Sequence, residues 1–138
     1  MESFEAIVGY GENSAIIHHR SSDSLVKDNS VMLIDCGSKY EFGTTDITRV
    51  LHFGEPTDYM KKMYTLVLKG HLKGKMLKTK QKLYENAVSA VTRLYLGFED
   101  EDYPHAFGHG IAHIGNVHEK TYYKEGSVFT IEPGWYKE

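Results

Sequence analysis

The chain has 138 residues, 41% of them hydrophobic and 25% charged, with a net charge of −3, a profile that fits a single soluble globular domain. Its 16 basic residues form no dominant block and no apolar stretch approaches the roughly 18 residues of a membrane span, which argues against nucleic-acid and membrane partners. The single cysteine, Cys36, excludes an internal disulfide framework; with no secretory pattern at the start of the chain, a cytoplasmic setting is expected.

In chain order, Phe4 to Tyr10 is an apolar run closed by Gly9 and Gly11, and Ala15 to His18 follows a Gly-Glu-Asn-Ser turn; both read as strands. Val31 to Asp35 is continuously apolar with a terminal carboxylate, the pattern of a strand covered on both faces; Cys36, next to it, reads as a buried thiol. Thr44 to Phe53 is rich in β-branched residues and predicts another strand. The period then changes. Met60, Met63, Tyr64, Val67 and Leu68 lay an apolar stripe along a helix, with Thr57 as its N-cap. The basic stretch from Lys69 to Lys82 reads as a solvated face. Leu83, Tyr84, Ala87, Val88, Val91 and Tyr95 form a second helical stripe that ends at Gly97 as a C-terminal glycine. Glu99 to Asp102 reads as an acidic surface loop, and Ser127 to Ile131 as a strand running into Glu132-Pro133-Gly134. Strands, two helices and strands again give an α+β class.

Four features carry potential chemistry. Asp35 ends an apolar strand and Asp46 follows eleven residues later; carboxylates in strand patterns are costly to bury unless paired or bound to a cation, and two near each other repel. His105, His109, His113 and His118 lie within fourteen residues, among glycines 108, 110 and 115 that permit close backbone approach. Glu132 ends the last apolar strand, and His18 ends the Ala15-Ile16-Ile17 run. Taken singly, each has an ordinary explanation: a turn-capping aspartate, a solvated histidine-rich loop, a surface imidazole. Together they make an oxygen-rich donor set suited to Mn²⁺, Mg²⁺ or Zn²⁺ rather than soft metals. The residues alone point to a carboxylate-rich metal site in a hydrolase and stop there.

The same segments resemble aminopeptidase P, the Xaa-Pro aminopeptidase family, in its eukaryotic form. The resemblance rests on Ser14-Ala15-Ile16-Ile17-His18, Leu33-Ile34-Asp35-Cys36-Gly37, Gly43-Thr44-Thr45-Asp46-Ile47-Thr48-Arg49, His52-Phe53-Gly54-Glu55-Pro56-Thr57 and Val67-Leu68-Lys69-Gly70-His71. It continues in Asp102-Tyr103-Pro104-His105-Ala106-Phe107-Gly108-His109-Gly110, Asn116-Val117-His118-Glu119 and Ile131-Glu132-Pro133-Gly134-Trp135-Tyr136. It implies a pita-bread (creatinase/aminopeptidase-like) fold, with residues 1–138 as a partial peptidase catalytic domain, incomplete at the C-terminus. By position, Asp35, Asp46, His109 and Glu132 take four of the family's five metal-ligand places; a register slipped by four would substitute His113 for His109. His18, His105 and His118 match the family's non-ligand histidines, which hold substrate and stabilise developing negative charge.

The implied activity is hydrolysis of the bond before proline, releasing the N-terminal residue of Xaa-Pro peptides by a metal-bound hydroxide, with Glu132 moving the proton and His105 and His118 at the oxyanion. The implied cofactors are two divalent ions, Mn²⁺ foremost, with Co²⁺ or Zn²⁺ as alternatives. The chain also departs from the family. The fifth ligand, a glutamate on a later strand, has no counterpart here, so one ion or none is expected to bind. The loop from His118 to Glu132 is short, and Leu77-Lys78-Thr79-Lys80-Gln81 replaces the usual Pro-x-Gly turn. A sheet edge without its last strand predicts a homodimer or an aggregation-prone monomer. The other reading is a catalytically impaired module of the same fold that binds a peptide or a protein partner.

Overall fold

The computed structural model describes residues 1–20, 22–80, 82–112, 115–117 and 122–137, with 115–117 described by backbone alone. The chain packs as two compact units, residues 1–60 with 113–115 and 136–138, and residues 61–112 with 116–135.

In the first unit, β1 (Ile7–Tyr10), β2 (Ser30–Cys36) and β5 (Ile47–Phe53) form an antiparallel sheet in the order β1-β2-β5. A small ladder of β3 (Lys39–Tyr40) and β4 (Gly43–Thr44) stands between β2 and β5 in sequence. The expected strand over Val31–Asp35 is therefore present and central. Its residues are half-buried rather than enclosed, because β2 is flanked by a strand at each edge instead of being covered on both faces. Cys36, where the strand ends, is exposed and is not the buried thiol expected. The strand expected over Thr44–Phe53 is broken: β4 stops at Thr44 and β5 starts at Ile47. Thr45 is turned back to Ser38, whose amide donates to Thr45 Oγ1 at 2.9 Å and whose carbonyl accepts from the Thr45 amide at 2.8 Å.

The strand expected over Ala15–His18 is absent. Gly11–Ala15 form a 3₁₀ turn instead, held by Ser14 Oγ donating to the Gly11 carbonyl at 2.6 Å. His18 has φ +58°, a left-handed backbone that no strand admits.

In the second unit, α1 (Asp58–Met76) and α2 (Glu85–Gly97) pack together. Thr57 caps α1 as expected, its hydroxyl accepting from the Met60 amide at 3.2 Å. The buried face of α1 carries Met63, Gly70 and Gly74; Tyr64 and Leu68, assigned to that stripe from sequence, are exposed. The face of α2 is Val88, Thr92 and Leu96, one residue per turn, while Ala87 is exposed and Leu83–Tyr84 belong to a short strand, β6. The two helices approach so closely at Gly70 that a Cβ there would collide with the Thr92 carbonyl oxygen. Gly97 does not take a left-handed C-cap: Phe98 follows in the right-handed region, and Asp100, at φ +56°, makes the reversal. Among the basic residues from Lys69 to Lys82, every lysine is exposed, as a solvated face requires.

The remaining strands are β7 (Gly110–Ala112), β8 (Gly115–Val117), β9 (Tyr122–Tyr123) and β10 (Val128–Phe129). They form a sheet in the order β10-β7-β8 and a two-stranded β6-β9 ladder. The core of this unit is Met63, Val88, Leu96, Tyr103, Phe107 and Tyr123. Tyr123 stacks on Phe129 at 3.9 Å and meets Phe107 edge-on at 6.3 Å. Strands and two helices in this order give the α+β class read from the sequence.

Candidate metal centre

The second unit brings two of the expected ligands together by register. β10 pairs antiparallel with β7, Phe129 opposite Gly110. The ladder continues past both strands: the Thr130 amide donates to the His109 carbonyl at 2.8 Å and the Glu132 amide to the Phe107 carbonyl at 2.6 Å. Residue 109 therefore lies opposite 130, and Glu132 is the diagonal neighbour of His109 on the same face. Gly108 makes this closeness possible, since a Cβ there would strike the Thr130 carbonyl. Thr130 adds a second tie, its Oγ1 accepting from the His109 amide at 2.8 Å.

The side chains then meet. His109 Nε2 lies 3.2 Å from Glu132 Oε1, yet that buried oxygen accepts no hydrogen bond. His109 Nδ1 is 3.0 Å from the Gly110 carbonyl, and a carbonyl can only accept, so that contact places the imidazole proton on Nδ1. In the neutral ring Nε2 then presents a lone pair to a carboxylate oxygen. Two electron-pair donors facing each other at this distance suit a cation held between them. Imidazoles in metal sites are oriented in the same way, with the far nitrogen donating to a carbonyl. His109 and Glu132 thus fit a divalent ion.

In the first unit the β2–β5 register sets Asp35 opposite Thr48. Asp46 stands one residue ahead of β5, and the register carried back to it places it opposite Gly37, diagonal to Asp35. The eleven-residue step in the sequence is thus a hairpin-scale return that brings both carboxylates to adjoining strands. Asp35 Oδ1 is buried without a hydrogen-bond partner, a costly state for a carboxylate that a cation would relieve.

Of the remaining site residues, His18 is exposed on its left-handed turn. His105 is half-buried, its Nδ1 2.7 Å from the Ala106 carbonyl. His113 and His118 lie outside the described residues.

The segment that presents His105 is fixed from α2. Arg93 Nη2 donates to the His105 carbonyl at 2.7 Å and to the Tyr103 carbonyl at 3.2 Å, while Nε pairs with Asp102 at 3.1 Å. Its guanidinium stacks 3.7 Å over the Tyr103 ring. The Tyr103 hydroxyl lies 2.8 Å from Thr92 Oγ1, which itself donates to the Ser89 carbonyl at 2.9 Å; Tyr103 is therefore the donor to Thr92. Burial pushes the Tyr103 pKa above its ordinary 10.0, against the lowering effect of the Thr92 hydrogen bond.

Sequence reasoning missed Arg93, Thr92 and two imidazoles. His19, beside His18, is tied to β1 through Nδ1 at 3.1 Å from the Val8 carbonyl, and His71 on α1 reaches the Ile131 carbonyl at 2.9 Å. The sequence signal for Arg93 is the charge itself, one position beyond the buried Thr92 on a helix that is otherwise apolar at its core.

The model of metallopeptidase family M24 matches residues 1–138. Among curated proteins, the chain is 38% identical to a probable Xaa-Pro aminopeptidase P of Phaeosphaeria nodorum, with 99% of the chain and 23% of that protein aligned. It is 40% identical to a probable Xaa-Pro aminopeptidase P of Ajellomyces capsulatus, covering 99% and 24%. Among solved structures, the X-prolyl aminopeptidase from Caenorhabditis elegans, described as a cytosolic enzyme with a di-nuclear active site, superposes with a TM-score of 0.91. The identity is 32%, over 99% of this chain and 24% of that one. A prolidase from Thermococcus sibiricus gives 0.88 at 34% identity, over 99% and 39%. The chain spans about a quarter of the length of the curated relatives it matches, and over that span its fold is the pita-bread α+β fold. Among the described residues no helix is long and apolar enough to cross a membrane. The resemblance read from its motifs is thus a family relationship: the chain belongs to metallopeptidase family M24.

Proposed function

We propose that the chain carries metal-binding machinery of an Xaa-Pro aminopeptidase, removing the N-terminal residue from peptides with proline in second position. The observation that carries this is the His109–Glu132 pair, an imidazole nitrogen and a buried carboxylate oxygen 3.2 Å apart on one face of the ladder. The proposed ligands are Asp35, Asp46, His109 and Glu132, and the ion is Mn²⁺, with Co²⁺ or Zn²⁺ as the alternatives, since the set is mostly carboxylate. A bound divalent ion would supply Lewis acidity, lowering the pKa of water and polarising the scissile carbonyl.

The chain's own residues do the rest. Glu132 accepts the proton of the attacking water on its carboxylate and delivers it to the departing proline nitrogen. His105 donates to the carbonyl oxygen as charge develops there; its Nδ1 faces the Ala106 carbonyl. His18 and His118 are assigned to the same peptide. Arg93 and Tyr103 fix the backbone from which His105 projects.

The test is release of the N-terminal residue from an Arg-Pro-Pro peptide by the purified chain with added Mn²⁺, beside an Arg-Ala-Ala control. Proline-dependent release that disappears in His109→Ala supports the enzyme. Peptide binding with no turnover favours the impaired module that binds without hydrolysis. Release from both peptides alike, or release that survives His109→Ala, contradicts the assignment.

A further inference from the structure

The residue before Glu132 is held from helix α1. In the ladder described above, the amides of Thr130 and Glu132 both point to the 107–109 segment. Alternation along an antiparallel strand then turns the Ile131 carbonyl the other way. There it meets His71, whose Nδ1 lies 2.9 Å from Ile131 O, sixty residues away in sequence. A carbonyl oxygen has no proton to give, so this bond exists only with the proton on Nδ1 of His71. Three residues on, on the same face of α1, Gly74 leaves room for the Ile131 side chain: a Cβ there would stand 3.2 Å from Ile131 Cγ2 and 3.7 Å from Cδ1. The helix thus takes both the carbonyl and the side chain of one residue. It leaves Glu132, the next residue, directed at His109.

We propose that His71 is a positioning residue for Glu132, locking the strand end so that Oε1 stays opposite His109 Nε2. This rests on the reading of Glu132 as a metal ligand and proton carrier. The ladder bond from the Glu132 amide fixes one side of the peptide linking residues 131 and 132, and His71 fixes its other side. With both in place, the strand end cannot rotate about its own axis. With His71 gone, the peptide keeps one tether, and the carboxylate samples orientations that no longer face the imidazole. Groups that orient ligands from outside the ligand set are typically worth about 10–100-fold in metal affinity; the lower end is expected here because His71 acts through the backbone.

Three measurements on the full chain test it. In long-range ¹H–¹⁵N spectra His71 should be the Nδ1–H tautomer; an Nε2–H tautomer overturns the proposal. Amide exchange at Glu132 should quicken in His71→Ala and return toward wild type in His71→Asn, whose amide can occupy the Nδ1 position, but not in His71→Gln. Calorimetric titration with MnCl₂ should show an affinity about 10-fold weaker in His71→Ala than in wild type, again restored in His71→Asn. A lowered melting temperature with Glu132 exchange and Mn²⁺ affinity unchanged would mean that His71 serves packing alone, against the proposal. Should the wild type take up no Mn²⁺, the metal reading falls, while tautomer and exchange still decide the role of His71.

Discussion

Replacing Gly70 by alanine sets two effects of opposite sign against each other. In an exposed helix interior the change stabilises by about 1 kcal/mol, because alanine loses less backbone entropy. At Gly70 the new Cβ would land on the Thr92 carbonyl oxygen, with the carbonyl carbon at 3.2 Å and the Cα at 3.5 Å. All three are backbone atoms of α2, so no rotamer change relieves the overlap and the helices must separate. Separation loosens the core of this unit, in which Met63 of α1 and Val88 and Leu96 of α2 are all fully buried. Overpacking of this kind costs about 1–3 kcal/mol; the upper figure applies because the obstacle is rigid. The net expectation is a loss of about 2 kcal/mol, or roughly 6–10 °C in Tm for a domain of this size. Gly97→Ala is the matched control: nothing lies within 4 Å of a Cβ there and its φ is not left-handed. It should be neutral or raise Tm by about 2 °C, corresponding to about 0.5 kcal/mol at a helix end. The assay is thermal unfolding followed by circular dichroism. If Gly70→Ala is as stable as Gly97→Ala, the close helix crossing at Thr92 is wrong.

Thr57→Ala should cost about 1 kcal/mol in a denaturant melt by removing the acceptor for the Met60 amide, whereas Thr57→Ser should be near neutral. Tyr103→Phe deletes the hydroxyl that donates to Thr92 and should destabilise by about 1 kcal/mol; Thr92 keeps its own bond to Ser89, so no donor is stranded. The same tyrosine predicts a pH dependence. Its pKa is raised on folding, so its contribution is fully present below the unfolded value of 10.0 and is lost as pH climbs through the folded value. Stability curves of wild type and Tyr103→Phe should therefore be parallel at neutral pH and converge above pH 10.

Much of the architecture is legible in the sequence, and what is not legible has identifiable causes. The apolar run of β2, the β-branched residues of β5 and the Thr57 cap all report the structure because the signal there is local. The helical stripes are partly misread because the contact face of α1 is made by Gly70 and Gly74 and that of α2 by Thr92, residues that no hydrophobic period selects. Ala15–His18 has strand composition, but Ser14 closes a turn on Gly11 and His18 adopts φ +58°, a tertiary outcome that propensity does not reveal. The donor residues themselves stand out as carboxylates at strand ends and a histidine among glycines. Their pairing does not: that Glu132 faces His109 follows from which residue lies opposite which, a register fixed by Thr130. The roles of His71 and Arg93 are not legible for the same reason, since each acts on a carbonyl whose direction only the fold determines.

Glu132 and His109, 3.2 Å apart, are proposed to hold a cation between them. The most direct measurement is calorimetric titration of the chain with MnCl₂ at constant pH, wild type beside Glu132→Gln, which keeps the side chain's shape and removes its charge. Uptake of Mn²⁺ by the wild type, with a loss of binding in Glu132→Gln, is the predicted result. Equal affinity in both proteins, or no uptake by the wild type, would contradict it.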